Sequence, residues 1–249
     1  MFERAELKRN AKKALKHFYL LGLAAAFIYA VLSGELGQMW NGFRITLNGF
    51  DEISYRGQSY VQQFLSFTNN HHNHYYIAPI GILTILLSGI FVVIRWLVGI
   101  LYDVFIVNVV EVGLDSFFLK NRYEETNLGE MIAPFQNNYK NVVKVTFFRK
   151  LYTWLWSLLF IIPGVIKHYE YYFVPYLMAE NPDLTSEEAF AKSRIMTNGE
   201  KLNIFIFDLS FIGWLILASF LGGVGRILVL PYVYASRSEL YVCLKERKL

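Results

Sequence analysis

One apolar stretch carries the residues best placed for chemistry in this sequence. Asn108, Glu111 and Asp115 follow one another at spacings of three and four residues, so a helix places all three on one face. A carboxylate pair on an otherwise apolar helix can bind a cation, relay protons or recognise a lipid headgroup. The alternative is that the stretch ends in the cytoplasmic interface with its acids in water, and we favour that interpretation. We therefore predict a polar face whose acids are hydrated.

Other chemistry-bearing motifs are weak. His71, His72 and His74 form the one histidine cluster, but adjacent side chains on an extended loop point apart and do not make a metal site. The sequence contains no Walker loop, no His-Glu-x-x-His and no nucleophile elbow. We predict that the chain is not an enzyme and holds no metal and no cofactor.

The composition is that of a membrane protein. Hydrophobic residues make up 55% of the 249 residues and charged residues only 18%. Several runs with few or no charges approach the roughly 20 residues that cross a ~30 Å hydrocarbon core. Because backbone groups in lipid must be satisfied within each segment, and no alternating strands appear, the crossings are helices. We predict an all-α fold with about six transmembrane or re-entrant helices and amphipathic helices at the interface.

The placement of basic residues predicts the membrane topology of the chain. Arg4, Lys8, Arg9, Lys12 and further lysines precede the first apolar run, and basic residues also close the chain. Positive charge concentrates on the cytoplasmic side, so both termini are predicted to be cytoplasmic in a multi-pass protein of the cell membrane. Within a single domain of residues 1–249 we predict a basic amphipathic helix at 1–17, an extracellular loop at 34–76 and a cytoplasmic helical segment at 181–201.

The run from Ile77 to Leu119 is apolar for more than 40 residues, too long for one straight crossing. The loop that follows, 120–150, is basic and is therefore predicted to be cytoplasmic. This favours one net crossing within the run, with a second, amphipathic part after Gly99.

Two further motifs predict local structure. Pro163-Gly164 interrupts an aromatic-rich stretch and is predicted to be the apex of a short helical hairpin within 151–180. Thr185 and Glu188 have the spacing of a capping box, which predicts a helix start at that position. That helix is expected to end at Asn198-Gly199.

The C-terminal half contains a series of recognisable motifs. They are Leu155-Trp156, Ile162-Pro163-Gly164, Lys167 to Tyr172, Ala189, Ser193-Arg194, Met196, Gly199, Phe211 to Trp214 and Pro231-Tyr232 to Tyr241. In these motifs the sequence resembles a broad family of uncharacterised integral membrane proteins of Gram-positive bacteria, which is distantly similar to the membrane domain attached to some glycerophosphodiester phosphodiesterases. The resemblance implies a multi-span membrane protein without an assigned reaction.

These observations leave two functional hypotheses. The first is a non-enzymatic membrane protein that acts by interaction with membrane lipids, a peptide or another membrane protein. The alternative is a small transporter or channel with a polar site among its helices. Nucleic-acid binding is not expected, because the aromatic residues lie in apolar spans rather than between basic residues.

Overall fold

The computed structural model describes residues 2–34, 90–91, 93–122, 127–220 and 223–249. The predicted loop 34–76 lies outside these residues except for its first position. A π-helical turn, Asp103–Val107, interrupts the second helix, and a 3-10 helix, Leu128–Met131, precedes the third. The α-helices are α1 (Arg4–Leu32), α2 (Val93–Lys120), α3 (Ala133–Gln136), α4 (Tyr139–Leu159), α5 (Ile161–Glu170), α6 (Val174–Glu180), α7 (Ser186–Thr197), α8 (Lys201–Leu209), α9 (Ile212–Phe220) and α10 (Gly223–Lys248).

The all-α prediction is confirmed, since the described residues form helices and no strand. Within the described residues, three helical stretches are long and apolar enough to cross a membrane: Arg4–Leu32, Val93–Lys120 and Lys201–Ala218. The chain is therefore an all-α helical membrane protein. The count of about six crossings and the cytoplasmic position of the termini stay predictions.

Helix α1 combines an amphipathic part with an apolar part. Leu7, Ala11 and Leu15 are buried at one-turn spacing, while most basic side chains of the same part are exposed. The helix is kinked at Phe18, whose φ of −127° and ψ of 23° are not helical. The predicted amphipathic helix is thus present, and it continues through this kink into the apolar part.

Small residues let α1 approach its neighbours closely. Gly22 lies against Phe118 of α2 and Pro231 of α10, so that a Cβ at this glycine would sit 3.4 Å from each side chain. Phe118 also stacks on Tyr234 of α10, with ring centroids 5.6 Å apart. Close packing of small residues is the usual way for apolar helices to associate where the hydrophobic effect between them is weak. Helices α1, α2 and α10 therefore form one packed unit.

Helix α2 has two halves with different surroundings. Its apolar side chains from Val93 to Leu101 are exposed, whereas those from Val109 to Leu119 are buried. Gly99 lies inside the continuous helix, so the predicted second part after this residue is not a separate element. The second half is buried nearly all round rather than amphipathic, because helices α4, α6 and α10 pack against it.

Helices α4 and α5 form the predicted hairpin, but it reverses at Phe160 rather than at Pro163-Gly164. Phe160 is extended, with φ −157° and ψ 148°, and Pro163 lies in the first turn of α5. A proline clashes with the carbonyl four residues earlier if the helix continues through it. That carbonyl belongs to Leu159, the last residue of α4. The proline therefore ends the preceding helix, and its missing N–H is tolerated in the first turn of the next one.

The apex of this hairpin is apolar and uncovered. Residues 158–162, called here the hairpin tip, are all exposed, from 64% at Leu159 to 80% at Ile161. An exposed apolar surface of this size on a helical membrane protein is suited to contact with lipid. The two arms of the hairpin pack together at Gly164, which lies directly on Ser157.

The segment 181–201 folds as predicted at both of its helix ends. Thr185 accepts a hydrogen bond from the backbone of Glu188, and the Glu188 carboxylate accepts one from the backbone of Thr185. Helix α7 ends before Asn198, and Gly199 has a φ of 75°, which glycine adopts without strain. The capping box and the C-terminal stop are confirmed, while the cytoplasmic position of the segment stays a prediction.

Gly164→Ala is expected to destabilise the hairpin. A Cβ at this position would lie 2.1 Å from Oγ and 2.6 Å from Cα of Ser157, so the two arms would have to separate, at a cost of about 1–3 kcal/mol. Thermal unfolding of the purified protein in detergent measures the effect. Gly213→Ala is the matched control, because among the described residues nothing beyond its own helix backbone and chain neighbours lies within 4 Å of its Cβ position. Equal melting temperatures of the two variants would contradict the close contact.

Candidate functional site

The predicted polar face exists, but most of it is buried. Asn108 is fully buried and Asp115 is 3% exposed, while the Glu111 side chain is 25% exposed and ion-paired. Helices α4, α6 and α10 pack against α2 at this level. The hydrated interpretation is therefore wrong for Asp115, whereas Glu111 is partly exposed beside the cavity described below.

Two carboxylates of α2 pair with adjacent cations of α4. Nη2 of Arg149 donates to both carboxylate oxygens of Glu111, at 3.0 and 3.1 Å. Nζ of Lys150 lies 2.9 Å from the Asp103 carboxylate. The Arg149 side chain is 14% exposed, and its buried Nε has no hydrogen-bond partner among the described residues. Charge pairing makes it possible to bury most of Arg149 and Glu111, since an unpaired charge is costly away from water, whereas Lys150 and Asp103 are 40% and 45% exposed.

A cavity of about 520 Å³ adjoins these pairs, between α2, α4 and α5. Arg149 and Lys150 mark its charged end, and Thr153 and Ser157 follow on α4 after one and two helical turns towards the hairpin tip. The cavity therefore changes from charged to uncharged along α4. Its lining, which defines the lateral cavity, consists of Glu111, Arg149, Lys150, Thr153, Trp154, Ser157, His168 and Tyr171.

A second, partly buried ion pair joins α8 to α10. Asp208 accepts hydrogen bonds from Nε and Nη2 of Arg237, at 3.2 and 3.1 Å, and from the Tyr172 hydroxyl at 2.8 Å. The Arg237 guanidinium also lies 5.7 Å from the ring centroid of Tyr172 and 6.0 Å from that of Tyr234. The sequence singles out Asp208 as a charge near an apolar run, but its partner is 29 residues away along the chain and no local spacing indicates it.

Several interior polar atoms have no partner among the described residues. They include both side-chain polar atoms of Asn108. Asp115 makes no ion pair within the same part of the chain, and the Tyr176 hydroxyl is a hydrogen-bonding neighbour of its carboxyl. Buried polar groups are normally hydrogen-bonded. An orphaned group in the interior therefore marks a place where a water molecule or a ligand can bind.

Glu170 is a charge hub that sequence reasoning did not find. Its buried carboxylate lies 2.7 Å from Nζ of Lys167, 3.0 Å from Nε of Arg194 and 2.7 Å from Nζ of Lys201. Burial alone would raise the pKa of this carboxyl, but hydrogen bonds from Lys167 and Lys201 outweigh it and lower the pKa to about 2. The hub ties the end of the hairpin to α7 and α8. The sequence signal was present only for Lys167, three residues before Glu170.

The predicted site residues thus fall into two groups. Glu111 lines the lateral cavity, whereas Asn108 and Asp115 lie deeper in the helical body. Gly164 is a packing contact between the hairpin arms, and Pro163 determines where the hairpin reverses. The histidine cluster at 71–74 lies outside the described residues, and the absence of a metal or cofactor stays a prediction.

The fold and the site together define the class of protein to which this chain belongs. Three helices suited to membrane crossing and partly buried charge pairs between helices describe an all-α helical membrane protein with an interior polar site. The chain belongs to the family described as protein of unknown function DUF975, whose model matches residues 82–248. No curated protein and no solved structure matches the chain. The predicted membership of an uncharacterised family is confirmed. The likeness to glycerophosphodiester phosphodiesterases and the Gram-positive origin stay predictions.

Glu111→Gln is expected to reduce stability by about 1–3 kcal/mol, because it leaves the largely buried guanidinium of Arg149 without its charged partner. Chemical unfolding in detergent measures the free energy of unfolding. The control is Glu130→Gln, which removes a carboxylate from a pair with Lys120, whose side chain is 50% exposed. That variant should stay within ~0.5 kcal/mol of the unaltered protein. If both substitutions cost the same, Glu111 is hydrated after all.

The Glu170 hub predicts a pH dependence of stability. The pKa of its carboxyl is about 2 in the folded protein, against an ordinary value of 4.5. A lowered pKa stabilises the fold fully above the ordinary value, and that contribution is lost as the pH falls from about 4.5 towards 2. The unaltered protein should therefore exceed Glu170→Gln in stability by about 1–3 kcal/mol at neutral pH.

Melting temperatures recorded from pH 7 down to pH 3 test this dependence. The difference between the unaltered protein and Glu170→Gln should narrow below pH 4.5. Glu187→Gln serves as the control, because Glu187 is exposed on α7 and makes no ion pair among the described residues. A difference in melting temperature that stays constant from pH 7 to pH 3 would show that the charge of the Glu170 carboxylate contributes nothing to stability.

Proposed function

We propose that this chain is a non-enzymatic membrane protein that binds a membrane lipid in the lateral cavity. The observation that carries the proposal is the polarity of this cavity along α4. Arg149 and Lys150 stand at one end, hydroxyl groups follow, and the exposed apolar hairpin tip lies beyond. A lipid has the same order of groups, from a charged headgroup to an apolar chain.

The size and surroundings of the cavity agree with this ligand. Ligand sites in proteins are concave, with volumes of about 300–1,000 Å³ and a few polar groups that orient the ligand. Trp154 lines the cavity and is 61% exposed, and tryptophan is enriched at the boundary between lipid and water. A headgroup at Arg149 would therefore place the acyl chains along the hairpin, where the surface is already apolar.

A second candidate is a small transporter or channel. The observation that favours it is the convergence of polar side chains from several helices: Asp115 and Tyr176, which are buried, and the partly exposed pair of Asp208 with Arg237. Intramembrane ionisable residues that face a protein interior often mark a substrate pathway. These groups lie away from the lining of the lateral cavity, so a defect in lipid binding at that cavity separates the two candidates.

Thr153→Phe is expected to weaken lipid binding by narrowing the lateral cavity. Thr153 lines the cavity at its middle, one turn beyond Arg149. Native mass spectrometry of the detergent-purified protein, titrated with a phospholipid mixture, measures occupancy. We expect the apparent affinity to fall about tenfold or more, which corresponds to about 1.4 kcal/mol.

Leu155→Phe is the matched control, because Leu155 lies on the same helix, is 42% exposed and does not line the cavity. It should bind lipid like the unaltered protein. Equal binding by both variants would remove the lipid proposal and favour the transporter candidate.

A further inference from the structure

The charge balance at the charged end of the lateral cavity restricts the class of ligand that can bind there. Both of its cations already have a carboxylate partner on α2: Glu111 for Arg149, and Asp103 for Lys150. The four groups carry no net charge. A site built for a simple anion would present unpaired cations, as phosphate sites do.

A ligand that brings only negative charge binds poorly at such an end. It must compete with Glu111 for Arg149, and a displaced Glu111, whose side chain is only 25% exposed, loses its charged partner, which is costly. A ligand with both charges avoids this cost. Its anionic group can replace the carboxylates on Arg149 and Lys150, while its cationic group pairs with the carboxylates.

We propose that the lateral cavity selects a zwitterionic phospholipid whose headgroup carries a phosphate and a primary ammonium. The phosphate binds Arg149 and Lys150, and the ammonium binds Glu111. This assignment rests on the proposed lipid-binding function and adds the class of headgroup to it.

Two details of the site support this headgroup. The buried Nε of Arg149 has no partner among the described residues, so the guanidinium has an unused donor in addition to Nη2, which a phosphate can take over from Glu111. A primary ammonium donates three hydrogen bonds, and a carboxylate in a partly buried position is a strong acceptor for them.

The test compares two phospholipids with identical acyl chains, phosphatidylethanolamine and phosphatidylglycerol. The first is zwitterionic and the second is anionic. Each is titrated into the purified full-length protein and bound lipid is counted by native mass spectrometry at constant ionic strength, because salt screens exposed charges. We expect the unaltered protein to prefer phosphatidylethanolamine by about tenfold, a factor that one additional charge-assisted hydrogen bond supplies.

Removing a carboxylate should reverse this preference. Glu111→Gln leaves the charged end with a net positive charge, so phosphatidylglycerol should bind as well as or better than phosphatidylethanolamine. Asp103→Asn should act in the same direction, and it keeps the test valid if Glu111→Gln fails to fold, because the Asp103 side chain is 45% exposed. Glu130→Gln, which removes a carboxylate outside the cavity lining, should keep the original preference.

The outcomes separate this inference from the proposed function. Lipid binding that is weakened in Thr153→Phe but favours phosphatidylglycerol in the unaltered protein would overturn the headgroup assignment and leave the lipid function standing. Binding of neither lipid would overturn both. A competition experiment with soluble phosphoethanolamine completes the test. If this compound displaces the phospholipid at equal concentration, the cavity binds a free zwitterion and the assignment to a lipid is wrong.

Discussion

The high cost of an unpaired charge away from water is the constraint on which the interior of this protein depends. Arg149 can lie between α2 and α4 because Glu111 meets it there, and Arg237 can lie inside the helical body because Asp208 and Tyr172 accept its hydrogen bonds. Each pair joins helices that are distant along the chain. Such pairs add little net stability compared with apolar packing, but breaking one is costly. They therefore fix which helices are neighbours, and the apolar contacts around them supply most of the packing.

The lateral cavity follows from a backbone constraint as much as from these charges. Pro163 cannot continue α4 without clashing with the carbonyl of Leu159, so the helix ends there and Phe160 reverses the chain. The return arm α5 then brings His168 and Tyr171 opposite Thr153, and a space remains between the arms and α2. One proline thus places both the exposed hairpin tip and the wall of the cavity.

The lipid-binding and transporter candidates use different parts of the same interior. The lateral cavity is open beside the apolar hairpin and is lined by paired charges, which suits a ligand that arrives from the membrane. The polar groups at Asn108, Asp115 and Tyr176 lie deeper, and neither side-chain polar atom of Asn108 has a partner among the described residues. Glu111 lies on the same helix face as Asn108 and Asp115, but of these three only Glu111 lines the cavity.

The sequence by itself determined the helical class, the membrane setting, the capping box at Thr185 and Glu188, and the shared face of Asn108, Glu111 and Asp115. These depend on composition or on spacings within a few turns, which one helix fixes locally. Only the tertiary structure decided that most of this face is buried, that Glu111 meets Arg149, and that three cations converge on Glu170. Burial and charge pairing are properties of contacts between elements that are 20 to 40 residues apart in the chain. A helix pattern gives the direction of a side chain relative to its own axis, but not what lies opposite.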